Sequence, residues 1–336
     1  MIRVAILGAS GYSALELIKL LLRHPDATIT ALTTRQAEPR PLGKVHPSLA
    51  GRLDLALENL SPEQVAERSD AVFCCLPHGA SAATVAKLLP AGKKVIDLSA
   101  DYRLNNPAEY AKWYGLEHAD PGHLSDAVYG LPELYGEMIT GSALVANPGC
   151  YPTSAILALA PLLRAGVVSP RGIIIDSKSG ISGGGREPKP VFHFPECNES
   201  VAAYGVGIHR HMPEIDQILS EAAGGMVRVV FTPHLIPMDR GILSTCYAEP
   251  TAEMTTEDVL ALLRQFYSDE PFVRVSETLP STKQVAGTNF CDLSARAVRG
   301  RVIVLSAIDN LIKGAAGQAL QNFNLMHGIP ETTALL

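Results

Sequence analysis

The sequence predicts an α/β chain of two domains, one built on a doubly wound parallel sheet and one an α+β unit on a mostly antiparallel sheet. Three observations predict it. Short apolar runs alternate with helical-period segments over roughly the first 150 residues, longer strand-like runs dominate afterwards, and 336 residues exceed one ordinary domain. The first run, residues 2–7 (IRVAIL), ends at Gly8. Leu15 to Leu22 then carry apolar residues at helical spacing until His24-Pro25 stops them, and residues 27–32 (ATITAL) read as a second strand. Residues 70–76 and 94–98 add buried strands with a helix over about 80–89 between them, and 143–147 adds another ending at Pro148-Gly149. Beyond that point 151–164 and 256–267 read as helices, and 172–178, 226–231, 242–248 and 302–308 as strands. The last segment, Lys313 to Met326, reads as a helix returning to the first domain, so the expected division is 1–149 with 310–336, and 150–309. No repeat or low-complexity linker interrupts the chain.

Composition narrows the function classes. A content of 47% hydrophobic residues supplies sizeable cores, and a net charge of −6 without a Lys/Arg block argues against nucleic acid or an anionic membrane as partner. A local Arg cluster still leaves room for a small anionic substrate. Six cysteines at irregular positions, with no Cys-x-x-Cys pair, do not form a disulfide framework. The N-terminus enters a strand directly, without signal-peptide anatomy, and no apolar stretch reaches the roughly 18 residues of a membrane span. The expectation is a reduced, cytoplasmic enzyme.

Gly8-Ala9-Ser10-Gly11-Tyr12-Ser13 lies between a strand and a helix, where glycines let the main chain approach a pyrophosphate and the helix N-terminus meets its charge. Gly-x-x-Gly-x-Ser departs from the usual Gly-x-Gly-x-x-Gly, so the position in a strand–turn–helix unit carries the reading of a Rossmann-type domain. After the second strand come Thr33-Thr34-Arg35-Gln36, with no acid until Glu38. A cation among hydroxyls suits a 2′-phosphate, which favours NADP over NAD; Arg35 as a solvated loop residue is the alternative. Pro77, in Leu76-Pro77-His78-Gly79, follows the next parallel strand at the sheet edge where cofactors lie.

Asn147-Pro148-Gly149-Cys150-Tyr151-Pro152-Thr153 leads from a strand into an apolar helix. Cys150 is thereby placed at a helix N-terminus, where the dipole and free N–H groups stabilise a thiolate. A thiolate is the group needed to attack an acyl phosphate; a buried inert cysteine is the alternative. In His209-Arg210-His211-Met212-Pro213-Glu214, an extended backbone would put both histidines on one side, with a helix starting at Pro213. One histidine near Cys150 would act as acid/base with Glu214 orienting it. The choice between them is open, with a lean to His209. Metal binding by the pair with His193 and Cys197 lacks a firm ligand spacing. Ser182, Gly183 and Gly184 belong to a Gly-rich loop, between Lys178 and Arg186, fit for close approach to a nicotinamide or a phosphate. Arg103, Lys178, Arg186 and Arg210 are the candidate anion clamps.

GASGYSALEL, LPHG, DLSADYRL, YGLPEL, NPGCYPT, SGISGGGR, HRHMPEI, FTPHLIPMDRGI and DNLIKGAAGQALQNFN together resemble, in order and from Gly8 to about Asn324, the N-acetyl-γ-glutamyl-phosphate reductase family, relatives of aspartate-semialdehyde dehydrogenase. The resemblance implies Cys150 as nucleophile, a histidine of the HRH stretch as acid/base, Asn310 among the cofactor contacts, NADPH as hydride donor, and a homodimer or homotetramer assembled through the sheet of the second domain. It implies reduction of an acyl phosphate to N-acetyl-L-glutamate 5-semialdehyde. The rivals are the same chemistry on an aminoadipate analogue, carried or free, or on aspartyl phosphate; an NADP-binding redox sensor; and a scaffold protein.

Overall fold

A computed structural model describes residues Met1–Leu336. The chain divides into two compact units, Met1–Pro148 with Ala315–Leu336, and Gly149–Gly314. Residues 310–314, read above with the first domain, group with the second.

The first unit carries eight strands: β1 Ile2–Leu7, β2 Ala27–Thr33, β3 Arg40–Pro41, β4 Ala56–Glu58, β5 Ala71–Cys74, β6 Lys94–Asp97, β7 Val128–Tyr129 and β8 Leu144–Ala146. Their order is β3-β4-β2-β1-β5-β6-β8-β7, parallel throughout except for the β3–β4 pair. The central strands are apolar on both faces, Val4–Leu7 and Ala71–Cys74 being buried without alternation, because crossover helices cover both sides. The chain turns back on itself at β1, which lies between β2 and β5; the crevice at the carboxyl ends of such strands is where doubly wound sheets bind ligands. The helix Tyr12–Leu21 follows that crevice, and the helix Gly317–Met326 returns from the end of the chain to pack against it.

The second unit carries β9 Ile174–Ser179, β10 Ala202–Ala203, β11 Val230–Leu235, β12 Ile242–Ala248, β13 Val273–Val275, β14 Cys291–Val298 and β15 Arg301–Ile308, in the order β10-β11-β9-β12-β15-β14-β13. Only the β11–β9 and β13–β14 pairs are parallel, so the sheet is mixed and mainly antiparallel. Helices Cys150–Arg164, Met212–Ala223 and Thr256–Phe266 pack together, and the first and last of them lie against the sheet. On the strands, Ile175, Ser177, Ser179, Ser244, Cys246, Val304 and Ser306 face inward and are buried. Asp176, Lys178, His234, Thr245, Tyr247, Ile303 and Leu305 alternate with the buried face and remain half-exposed on the other side of the sheet.

The Cys150–Arg164 helix is apolar all round: every residue from Tyr151 to Leu163 is buried. Two local devices seat it. Pro161 has no N–H for the Leu157 carbonyl one turn back, and the Tyr267 hydroxyl donates to that carbonyl instead at 2.7 Å. Ser154 Oγ donates to Ser244 Oγ at 2.9 Å and lies 3.0 Å from Ser306 Oγ, while Ser177 Oγ stands 2.7 Å from Ser244 Oγ. These buried hydroxyls satisfy one another and pin the helix to β9, β12 and β15 one turn below Cys150.

Candidate active site

Cys150 is the first residue of its helix, and the capping position before it, Gly149 (φ −70°, ψ 155°), has no side chain to bond the end. The Gly149 N–H donates to Glu214 Oε1 at 2.8 Å, and Glu214 is only 1% exposed. A Cβ on Gly149 would stand 2.5 Å from His211 Nε2, so residue 149 has to be a glycine for the imidazole edge to lie against the main chain beside the thiol. His211 caps the Met212–Ala223 helix, and Glu214 is in its first turn. The starts of two packed helices therefore bring Cys150, His211 and Glu214 together.

His209 is placed differently. Its ring lies among Tyr151 (5.5 Å between centroids), Tyr204 (5.5 Å) and Phe231 (5.3 Å), and 4.9 Å from the His211 ring. Its Nδ1 accepts the His211 main-chain N–H at 3.2 Å, which leaves the proton of the neutral ring on Nε2. Burial first, and the charge of Arg210 second, lower its pKa to about 4. Tyr204 donates its hydroxyl to that of Tyr151 at 2.9 Å, and burial raises both phenols well above their ordinary range.

The Gly-rich loop is clamped by Asn310, whose Oδ1 accepts the Gly241 N–H at 2.7 Å and whose Nδ2 donates to Ser182 Oγ at 3.1 Å. Ser182 Oγ donates to the Asp239 carbonyl at 2.6 Å. Gly184 packs on the Phe192 ring, which a Cβ would strike, and a Cβ on Gly183 would stand 3.3 Å from Ser179 Oγ. Asn310 and Ser182, expected at the cofactor, are thus also the struts that hold three strand ends together.

One expected clamp is corrected, and a second is placed deep in the first unit. Lys178 sits on the half-exposed face of the sheet, paired with Asp176 at 2.8 Å, whereas the Cys150 helix lies on the opposite face; strand alternation separates them. Arg103 is buried: Nε donates to the Asn147 carbonyl and Nη2 to the Leu98 carbonyl, each at 2.8 Å, which braces the ends of β6 and β8. Arg186 and Arg210 are exposed. No group of three or more His, Cys, Asp or Glu side chains gathers as a metal-ligand set.

In the first unit, Gly8 has φ +75°, and a Cβ there would collide with the Cys75 carbonyl, so only glycine allows β1 and β5 to approach at the turn. Gly8 and Ala9 donate their N–H groups to Thr33 Oγ1 (3.3 Å) and the Thr33 carbonyl (3.0 Å), and His46 Nε2 bonds the Ala9 carbonyl at 2.8 Å. Gly11 caps the Tyr12–Leu21 helix without a side-chain bond, leaving Ser10, Tyr12 and Ser13 around an open helix start. Thr34 and Arg35 follow β2, Arg35 being exposed, and Pro77 is exposed beyond β5. The turn after Pro77 is fixed by Asp101, whose carboxylate accepts the N–H groups of Gly79 (2.7 Å), Ser81 (3.0 Å) and Ala82 (3.0 Å). Asp101, the serines beneath Cys150 and the Tyr151–Tyr204 pair escaped sequence reading. Asp101 carried a signal, lying four residues after Asp97 at a strand exit; the serines are scattered over one helix and three strands far apart in sequence and carried none.

A glycine-turn parallel unit followed by a mixed-sheet unit headed by a cysteine at a helix start defines a semialdehyde dehydrogenase-type oxidoreductase. Family models agree: a semialdehyde dehydrogenase NAD binding domain matches residues 3–142, and a semialdehyde dehydrogenase dimerisation domain matches 150–310. Among solved structures, aspartate semialdehyde dehydrogenase II of Vibrio cholerae, complexed with ASA, superposes with a TM-score of 0.73 at 16% identity, over 97% of this chain and 98% of that one. Aspartate semialdehyde dehydrogenase with NADP from Candida albicans gives 0.71 at 15%, over 97% and 98%. Curated relatives named N-acetyl-gamma-glutamyl-phosphate reductase are much nearer in sequence. Those of Citrifermentans bemidjiense and Rhodopirellula baltica are 54% and 51% identical, each over 100% of this chain and 98% of the relative. The chain belongs to the N-acetyl-γ-glutamyl-phosphate reductase family. It is an oxidoreductase with a nicotinamide cofactor, and no helix is long and apolar enough to cross a membrane.

Proposed function

We propose that this enzyme reduces N-acetyl-γ-glutamyl phosphate to N-acetyl-L-glutamate 5-semialdehyde and phosphate with NADPH, through a thioester on Cys150, as a step of arginine biosynthesis. The observation that carries the reading is the convergence of Cys150, His211 and Glu214 at two helix starts. The helix start favours the Cys150 thiolate. The thiolate attacks the γ-carbonyl carbon; the C–O bond to phosphate breaks, and phosphate leaves with its electron pair. Bound at the glycine turn of the first unit, NADPH would supply the hydride that reduces the thioester carbon. His211 donates its proton to the oxygen of the resulting tetrahedral centre and takes it back as the C–S bond breaks, freeing aldehyde and thiolate. Glu214 fixes the main chain under the nucleophile through the Gly149 N–H, and main-chain N–H groups at the helix start are the oxyanion donors. The choice of His211 reverses the lean toward His209, because it is His211 that lies against residue 149.

The glycine turn fits a dinucleotide: the Gly8 close approach and the open helix start leave main-chain N–H groups for a pyrophosphate. Arg35, exposed after β2 with no acid beside it, supports NADP over NAD. Arg103, Arg186 and Arg210 are the candidates for the substrate's anionic groups. Two copies of the chain join through the half-exposed face of the second sheet, and the cytoplasm maintains the reduced thiol that the mechanism needs. In the reverse assay with semialdehyde, phosphate and NADP, Cys150→Ala abolishes turnover and leaves NADPH binding within about twofold of the native value, measured by fluorescence titration; a removed nucleophile costs orders of magnitude. Retained turnover in that variant overturns the reading.

A further inference from the structure

Beyond β15 the chain enters a five-residue π-helix, Ile312–Ala316. Such turns are rare and concentrate at functional sites. The shape of this one is set by Asp309, which is fully buried. Its carboxylate accepts the N–H groups of Leu311 (2.8 Å) and Ile312 (3.1 Å) and reaches across to Gly287 (2.7 Å). Its carbonyl accepts the Gly314 N–H at 2.9 Å, the bond that widens the turn by one residue. Lys313, also fully buried, extends toward the Phe272 ring, 5.9 Å from its centroid, and anchors the turn on the other side.

Held this way, Gly314 meets the nucleophile. A Cβ at position 314 would stand 2.7 Å from Cys150 Cβ and 3.1 Å from Cys150 Cα. Gly314 is not among the glycines with positive φ, so glycine is required here for space and not for conformation. A turn of ordinary width would present a different residue to the thiol.

We propose that the Asp309-braced π-turn is a positioning device for Cys150, with Gly314 as the wall that sets where the sulfur stands and Asp309 as the residue that holds the wall in place. The proposal rests on Cys150 being the nucleophile. Its chemistry is geometric: a reacting atom misplaced by about 1 Å loses on the order of 10²-fold in rate while binding survives. Gly314→Ala is therefore expected to lower kcat by about 10²-fold with KM for the semialdehyde and for NADP changed less than about threefold, and to slow alkylation of Cys150 by iodoacetamide about tenfold. Asp309→Asn moves kcat in the same direction by a smaller factor. Loss of fold is separated by melting temperatures. Gly314→Ala lowers Tm in the native background but much less in a Cys150→Gly background, where the Cβ it would strike is gone. Native kcat and alkylation rate in Gly314→Ala, or an equal loss of Tm in both backgrounds, overturns the proposal. Turnover by Cys150→Ala would sink the nucleophile reading but leave the Tm coupling untouched, so the two failures are distinguishable.

Discussion

His209 and His211 sit two residues apart, yet the structure gives them different chemistry. Sequence spacing put both on one side by assuming an extended backbone; the segment is in fact a succession of turns, and the rings meet edge to face, 61° apart. Burial in an aromatic box lowers the His209 pKa to about 4, so the ring is neutral at neutral pH, with Nδ1 accepting the His211 N–H. The kinetic expectation is that His211→Asn lowers kcat by 10² to 10⁴-fold, roughly the worth of a general acid, whereas His209→Phe retains most of it. The same depressed pKa has a stability consequence. The unfolded histidine takes up a proton near its ordinary 6.5 and the folded one only near 4, so the contribution of His209 is full above 6.5 and is lost as pH falls through that window. Thermal melts of native protein and His209→Phe between pH 7 and 4 are expected to show the native Tm falling more steeply. Equal slopes contradict a buried neutral histidine. The place of Cys150 at a helix start was legible from the Pro-Gly turn before an apolar run, while the contact of His211 with Gly149 is tertiary and no local pattern encodes it.

The Cys150–Arg164 helix shows how one element can be both core and active-site mount. Its first turn carries Cys150, and everything below is buried, so the thiol is held by a rigid rod fixed to the sheet by serine hydroxyls. The proline at 161 would leave the Leu157 carbonyl unpaired but for Tyr267. Tyr267→Phe is expected to cost about 1–3 kcal/mol in a denaturant titration, the penalty of a buried unpaired carbonyl. In a Pro161→Ala background the cost shrinks, because the alanine N–H can serve the same carbonyl; an undiminished cost contradicts this account of the break. Regular elements with apolar periodicity were legible in sequence. β14 was not, because Asp292, Ser294 and Arg296 interrupt it. β11 was read four residues early, because Pro233 looks like a strand breaker although it donates nothing in the parallel pairing with Ser177.

At the scale of the whole molecule, the half-exposed face of the second sheet is the feature the chain alone does not explain. Lys178, taken from sequence for a substrate clamp, lies on that face with Asp176 and His234. Strand parity decides which face a residue reaches, and it could not be assigned until the register of β9 was known. Thr245 and Leu305 are directly paired near the middle of the sheet and both point outward. On the proposed assembly through this face, Thr245→Arg with Leu305→Arg is expected to give monomer in sedimentation velocity where the unaltered chain gives an oligomer, since like charges desolvated at an interface centre oppose association. An unchanged oligomer places the interface elsewhere. The last helix, Ala/Gly/Gln-rich in sequence and expected to return to the first domain, groups with the first unit; the crossing at residue 315 rather than 310 was not readable, because Asp309 ties Leu311, Ile312 and Gly314 to the end of β15.

The most direct test of the thioester mechanism is a phosphate burst. Mixed with the acyl phosphate and no NADPH, the native enzyme is expected to release one phosphate per active subunit and to carry the acyl group on the peptide containing Cys150, seen by mass spectrometry after acid quench. Absence of the burst, or an adduct on any other residue, contradicts the mechanism.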